Sequence, residues 1–351
     1  MPSFNASYLR ETARRVFEAV GSQSDVASRV SDALVDANLA GHDSHGVIRI
    51  PQYVQHVRAG QVIADARPEI IDESPTTALV NGNWAFGQVS AAFATRLAME
   101  KARQNRLAAV GIVRCTHIGR LGEYPTMAAD EGLIAFVTAG GFGGPGGAAP
   151  FGGSEVALGT NPLSIGFPGK ETPSMLVDFA TTSVAAGKIS VARAKGEQLP
   201  PGSIIDREGR PSTDPEDFYN GGMLLPFGGH KGYSLGLVVE MLGRVLTGAD
   251  EYAQEGRGGP VYGRSGTFII ALDPGMFRPN DDYRAEVDRS LDRIKRVKPA
   301  PGFNEVLVPG EPELRARAQR EREGIPIAEA TWSAIRATAS ELGVDVDAVQ
   351  A

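Results

Sequence analysis

The hydrophobic spacing of this chain changes at Pro68, and that change limits the folds open to it. Before it, apolar residues recur at helical spacing. Leu9, Ala13, Val16, Phe17 and Val20 form one stripe that stops at Gly21. Val26, Val30, Ala33, Leu34 and Ala37 form a second, with Ser24 as its expected cap and Gly41 as its stop. After Pro68 come short runs of strand type. Residues 68–72 and 77–80 read as strands, with Asn81-Gly82 as a turn. Gln88 to Asn105 reads as a long helix. Leu107 to Val113 is a continuous apolar run, as in a buried strand, and Gly132 to Thr138 is another. A helical start followed by mixed helices and strands predicts an α/β (α+β) protein. At 351 residues, 42% of them hydrophobic, the chain can bury two cores or one large core with a helical satellite.

The chain continues with polar clusters attached to short strands, Leu158 to Phe167 and Met175 to Ser183. Gly187 to Ala194 reads as a helix, and residues 196–222, rich in Pro and Gly, as a long connection without repeats. Gly228-Gly229-His230-Lys231-Gly232 opens an amphipathic helix, Tyr233 to Leu246. A glycine-rich start offers unpaired N–H groups to an anion, and His230 and Lys231 add donors. Gly266 to Leu272 reads as a strand. Asp282 to Val297, Glu313 to Arg322 and Trp332 to Leu342 read as helices.

Between the second helical stripe and the strands lies a dense polar cluster, from Gly41 to Tyr53. Ser44, His45, Arg49 and Tyr53 stand within ten residues. In a helix each residue advances by ~100°, so His45, Arg49 and Tyr53 would share a face. Any one of them is ordinarily a packing residue. Together they offer a proton-transferring imidazole beside a guanidinium that can grip a carboxylate with two bonds. A 2-oxo or 2-hydroxy acid needs that pair. Gly46 and Pro51 weaken the helix there, which favours a site over plain packing.

Other function classes are disfavoured. The net charge is −7, and no dense basic run suggests a nucleic acid or an anionic membrane. Local Arg and Lys would have to meet an anionic substrate. Cys115 is the only cysteine, so neither an intrachain disulfide nor a Cys-rich zinc site is expected. The five histidines show no metal-ligand spacing, and no metal is expected. The charged amino terminus reads as neither a signal peptide nor a membrane span, and the chain reads as cytoplasmic. Gly141-Phe142-Gly143-Gly144-Pro145-Gly146 satisfies G-x-G-x-x-G, but Pro145 and Pro150 interrupt it. No apolar helix follows, and the residue twenty positions on is Asn161 rather than an acid. It reads as a loop and not as a dinucleotide-binding turn.

Six ordered motifs then carry a resemblance that spans nearly the whole chain: GHDSHGVIRIPQY, THIGRLGEY, LGTNPLSIGFP, VDFATTSVAAGK, PFGGHKGYSLGLVVEML and VPGEPE. They resemble the malate/L-lactate dehydrogenase family of oxidoreductases. NLAGHDSHG, WAFGQV and PPGSIIDREGRPSTDP look most like its hydroxycarboxylate dehydrogenases.

The resemblance implies a nicotinamide-binding fold outside the Rossmann class, built on a largely antiparallel mixed sheet with helices. It implies a helical domain formed by both ends of the chain, residues 1–66 and 306–351, around a cofactor-binding domain of residues 67–305. Homodimers are implied, and NAD or NADP as cofactor.

Carried over residue by residue, His45 is implied as proton donor and acceptor with Ser44 as its relay. His117 is the rival for that role and is also implied as a cofactor-binding residue, lining the cofactor and substrate pocket. Arg49 is implied as carboxylate anchor, with Tyr53 and Thr160 as substrate contacts. Ile118, Gly119, Arg120, Leu121, Asp178, Phe179, Ala180, His230, Lys231, Gly310 and Glu311 are implied along the cofactor. The reaction expected is hydride exchange between a nicotinamide and a malate-, lactate- or related 2-hydroxy acid. Ureidoglycolate or sulfolactate oxidation is an alternative, as is reduction of a cyclic imine such as pyrroline- or piperideine-2-carboxylate. A non-catalytic binding protein would be marked by loss of the His or the Arg, and neither is lost.

Overall fold

The computed structural model describes residues 1–348 except 142, 143, 145, 172 and 173. A short strand β1 (Ser3–Phe4) leads into α1 (Ala6–Ala19) and α2 (Ser24–Leu39). Ser24 is the first residue of α2; Gln23 stands at the cap position and its side chain makes no capping bond. Two single 3₁₀ turns, Asp43–His45 and Val47–Arg49, precede α3 (Ile50–Arg58). The hairpin β2 (Glu69–Glu73) and β3 (Thr77–Asn81) follows. The crossover helix α4 (Gly87–Asn105) then leads to β4 (Leu107–Val113), α5 (Glu123–Asp130), β5 (Ile134–Gly140), β6 (Leu163–Phe167) and β7 (Met175–Phe179). Next come α6 (Ala186–Lys195), β8 (Ile204–Ile205), β9 (Pro211–Ser212), α7 (Pro215–Tyr219) and β10 (Met223–Leu224). Helix α8 (His230–Glu240) runs on through a π-helical segment, Met241–Val245. The chain ends with α9 (Gly259–Tyr262), β11 (Gly266–Leu272), α10 (Asn280–Lys295), α11 (Glu311–Glu323), β12 (Ile325–Pro326) and α12 (Glu329–Glu341).

The central sheet has seven strands in the order β2-β3-β4-β11-β5-β6-β7. Only β3 and β4 pair in parallel. They are the pair joined by a crossover helix, as parallel neighbours must be. Every other pairing in this sheet is antiparallel. β4 and β11 occupy the middle; Val110, Ile112, Ile269 and Ala271 are fully buried on one face, and Val113 and Phe268 are buried on the other. That burial on both faces is why both segments read as continuous apolar runs.

The helices of the two ends share one core. Leu9, Val16, Phe17, Val30, Leu34, Ile50, Tyr53, Ile325 and Ile335 all belong to it. β1 pairs with β12, which ties the first residues to the last helices. No helix among the described residues is long and apolar enough to cross a membrane.

Two expectations need correcting. The stretch 196–222 is not mere connection: it holds β8, β9 and α7, and the two strands join β10, just beyond it, in a three-stranded sheet. Their two-residue strands are too short to leave a periodic signal. The cluster from Gly41 to Tyr53 is also not one helix. Gly46, extended at φ −88° and ψ −156°, separates the two 3₁₀ turns from each other. Phe142, Gly143 and Pro145 of the glycine-rich hexapeptide lie outside the described residues.

Candidate active site

The catalytic candidates converge although they do not form a helical stripe. The two 3₁₀ turns are held by Asn38, a buried residue near the end of α2. Its Oδ1 accepts the Val47 N–H at 2.8 Å, and its Nδ2 donates to Asp43 Oδ1 at 2.6 Å. Gly46 lies against that amide so closely that any Cβ would clash with it. From α11, Arg320 grips both oxygens of Asp43, at 2.6 and 2.9 Å, and donates to the Asn38 carbonyl oxygen. His42 pairs with Glu313 of the same helix at 3.3 Å. The turn that carries Ser44, His45 and Arg49 is thus clamped from both ends of the chain.

His45 lies parallel to His117, with ring centroids 5.5 Å apart and planes 16° apart. Ser44 Oγ is 3.1 Å from His45 Nδ1. His117 Nδ1 is 2.6 Å from the Tyr53 hydroxyl, which also accepts from Gln88 Nε2 at 2.7 Å. Tyr53 is buried, and among the described residues its hydroxyl bonds His117 and Gln88. The Tyr262 ring closes the other flank of His117 at 5.7 Å. The first residue of α4 fixes the backbone here: a Cβ on Gly87 would collide with the carbonyl of His117.

His45 and His117 are each partly exposed as residues. Burial nevertheless pushes the pKa of His45 down to about 3, and the charges of Arg49, His42 and Arg120 push the same way. His117 is held well below its usual range by burial, then by Arg49, His45 and His56. Arg49 donates Nε–H to the Ser44 carbonyl oxygen at 2.6 Å and Nη1–H to Gln52 Oε1 at 2.7 Å. It has no carboxylate partner among the described residues. A cation in this position, beside two neutral imidazoles, is suited to an incoming carboxylate.

The predicted cofactor residues form a second group. Arg120 is buried, and its Nε and Nη1 have no partner. Asp178 accepts the Gly122 N–H at 2.8 Å; burial raises its pKa, against the pull of Arg120. Ile118 and Leu121 are buried beside them, and Gly119 turns the loop at φ 79°. Phe179, partly exposed, meets Phe227 edge-on, and Ala180 follows it at the end of β7. Thr160 accepts the Thr181 N–H through its backbone oxygen. His230 and Lys231 stand exposed on the first turn of α8. Gly310 takes φ 93° at the head of α11, against Leu176. Glu311 is committed to Lys295 and Arg315, which hold its pKa down to about 2 together with the Val308 N–H. Among the described residues, no hydrogen bond, ion pair or ring contact joins Thr160, Phe179, His230, Lys231, Gly310 or Glu311 to the imidazole pair.

Sequence reasoning missed Asn38, Asp43, Gln88, Tyr262 and Arg320. Asn38 did leave a signal, a polar residue between Ala37 and Leu39 in an apolar stripe. Gln88 and Arg320 left none.

The profile of the malate/L-lactate dehydrogenase family matches residues 4–336. Hydroxycarboxylate dehydrogenase B of Escherichia coli O157:H7 is 36% identical over 99% of this chain and 96% of its own length. The solved sulfolactate dehydrogenase of Methanocaldococcus jannaschii superposes with a TM-score of 0.88 at 32% identity, covering 99% of each chain. The Δ1-piperideine-2-carboxylate reductase of Pseudomonas syringae superposes with a TM-score of 0.83 at 29% identity, over 97% of this chain and 100% of that one.

Proposed function

This chain belongs to the malate/L-lactate dehydrogenase family, and from that premise we propose how its own residues exchange a hydride and a proton with a 2-hydroxy acid. It is an oxidoreductase of the 2-hydroxy-acid/2-oxo-acid class. A bound nicotinamide, NAD or NADP, supplies the hydride in reduction and takes it back in oxidation. The observation that carries the reading is the stacked His45–His117 pair beside Arg49, a guanidinium with no carboxylate partner among the described residues.

Arg49 holds the substrate carboxylate in a two-bond grip and so fixes where the C2 oxygen lies. His45 gives a proton to that oxygen in reduction and takes it back in oxidation. Ser44 braces its Nδ1. Both imidazoles are neutral without ligand, because Arg49 and burial disfavour the imidazolium. A carboxylate on Arg49 cancels part of that effect, so the substrate itself raises the proton affinity of His45.

The residues present suit a dinucleotide. The two orphaned nitrogens of Arg120 are fitted to phosphate oxygens, whereas at the start of α8 the N–H groups of Lys231 and Gly232 already donate to the Gly228 and Phe227 carbonyl oxygens, which leaves the exposed side chains of His230 and Lys231 to meet an anion there. Asp178, Phe179, Ala180, His230 and Lys231 are assigned to the same group. The sheet is mostly antiparallel, which supports a dinucleotide cleft outside the Rossmann class.

A homodimer is part of the proposal. Val238, Met241, Val245 and Leu246 leave an exposed apolar ridge along α8 and its π segment, 47–62% exposed. Sedimentation at micromolar concentration tests it; a monomer at all concentrations overturns it. The single cysteine, Cys115, is buried and free, which supports a reducing, cytoplasmic setting.

The test of the reaction is the absorbance of the reduced nicotinamide, with both cofactors, over a panel of 2-oxo acids. Turnover of at least one acid is expected, and none with either cofactor rejects the reading. A second reading, reduction of a cyclic imine carboxylate, is favoured by the likeness to the piperideine carboxylate reductase. Protonating nitrogen instead of oxygen needs the same His and Arg. Pyrroline- and piperideine-2-carboxylate belong in the same panel.

A further inference from the structure

Two imidazoles stand in one site, and the bonds around them differ. Gln88, fully buried on the first turn of α4, donates Nε2–H to the Tyr53 hydroxyl. With that acceptor site filled, the phenol directs its own proton to its other neighbour, His117 Nδ1 at 2.6 Å. A ring nitrogen that accepts a bond is unprotonated, so the proton of neutral His117 lies on Nε2. No described residue bonds that Nε2. Burial also raises the Tyr53 pKa, so the phenol keeps its proton.

The groups facing His117 from the elements packed on it are Arg49, Tyr53 and His56 around α3, His45 of the turn, and Tyr262 of α9. None is a carboxylate, so nothing there stabilises an imidazolium. At His45 the partner is Ser44, whose Oγ lies 3.1 Å from Nδ1 and can accept a hydrogen bond from that nitrogen when it is protonated.

Building on the hydroxy-acid reading above, we propose that Tyr53 is a positioning residue that locks His117 as the Nε2–H tautomer. His117 then meets the C2 oxygen as a neutral hydrogen-bond donor, and His45 alone moves the proton. The two histidines are not interchangeable rivals but hold separate tasks, and Gln88–Tyr53 is the device that separates them.

The experiment is nitrogen NMR on protein labelled at histidine, at pH 7, together with kinetics. The chain has five histidines, and a His117→Gln spectrum assigns the signal. The wild-type protein should show His117 as a single Nε2–H tautomer. Tyr53→Phe should give mixed tautomers and lower kcat roughly 10–100-fold, with KM and reduced-cofactor affinity within about threefold of wild type. Gln88→Leu keeps the hydroxyl but frees its acceptor site. It should also mix the tautomers, and it serves if Tyr53→Phe does not fold. An Nδ1–H or imidazolium signal for His117 in the wild-type protein overturns the proposal, as does an unchanged tautomer in a folded variant. The spectrum is read without turnover. Absence of any substrate therefore rejects the functional reading, while the wrong tautomer rejects this inference.

Discussion

The guanidinium of Arg320 holds the carboxylate of Asp43 by both oxygens, across 277 positions of sequence, at 2.6 and 2.9 Å. One end of this pair lies on a late helix and the other begins the turn that carries Ser44 and His45. Removing either partner frees the same turn. Arg320→Ala and Asp43→Asn should therefore each lower kcat/KM, by roughly 2- to 100-fold, and the double variant should lose little more. Steady-state kinetics on the four proteins checks this. Losses that multiply would show that the pair does not act as a unit.

His45→Ala removes the group assigned to proton transfer. Turnover should fall by ~10²–10⁴-fold. Reduced-nicotinamide fluorescence should still report binding, because none of the residues assigned to the cofactor depends on that ring for a bond. Retained turnover would take His45 out of the mechanism.

Arg49→Lys replaces a planar fork with a single ammonium. The Ser44 and Gln52 bonds of Arg49 show how its other donors are already used. KM for the acid should rise roughly tenfold or more, with a smaller change in kcat. An unchanged KM would mean that the carboxylate sits elsewhere.

The depressed pKa of His45 has a consequence for stability. Unfolded, a histidine titrates near 6.5; folded, this one titrates at about 3. Between those values the unfolded chain binds the extra proton, so stability falls as pH falls. The contribution is complete above 6.5 and is lost progressively toward 3. From pH 7 to pH 4.5 it should amount to roughly 2–3 kcal/mol. Measured by urea denaturation, the wild-type protein should thus lose about that much stability relative to His45→Gln as pH is lowered over that interval. Parallel pH dependences would place His45 in water.

Much of the fold was legible in the sequence. Leu107–Val113 and Gly266–Leu272 were read to the residue, because a strand buried on both faces has no polar alternation to blur its ends. The site was legible only as a list of chemical types. Helical spacing suggested that His45, Arg49 and Tyr53 share a face, yet Gly46 breaks that helix. Their convergence comes instead from His117, which arrives in the loop after β4, stacks on His45 and bonds the Tyr53 hydroxyl. Gln88 and Arg320 were invisible because a buried amide and a paired guanidinium have no local pattern. Only the tertiary partner reveals them.

The clamp on the catalytic turn also says when that turn is first steadied. During synthesis the imidazole is made early, but the hand that steadies it comes from a helix whose Arg320 lies 277 positions after Asp43. A nascent chain therefore carries its reactive groups on an unsteadied loop until that helix has emerged.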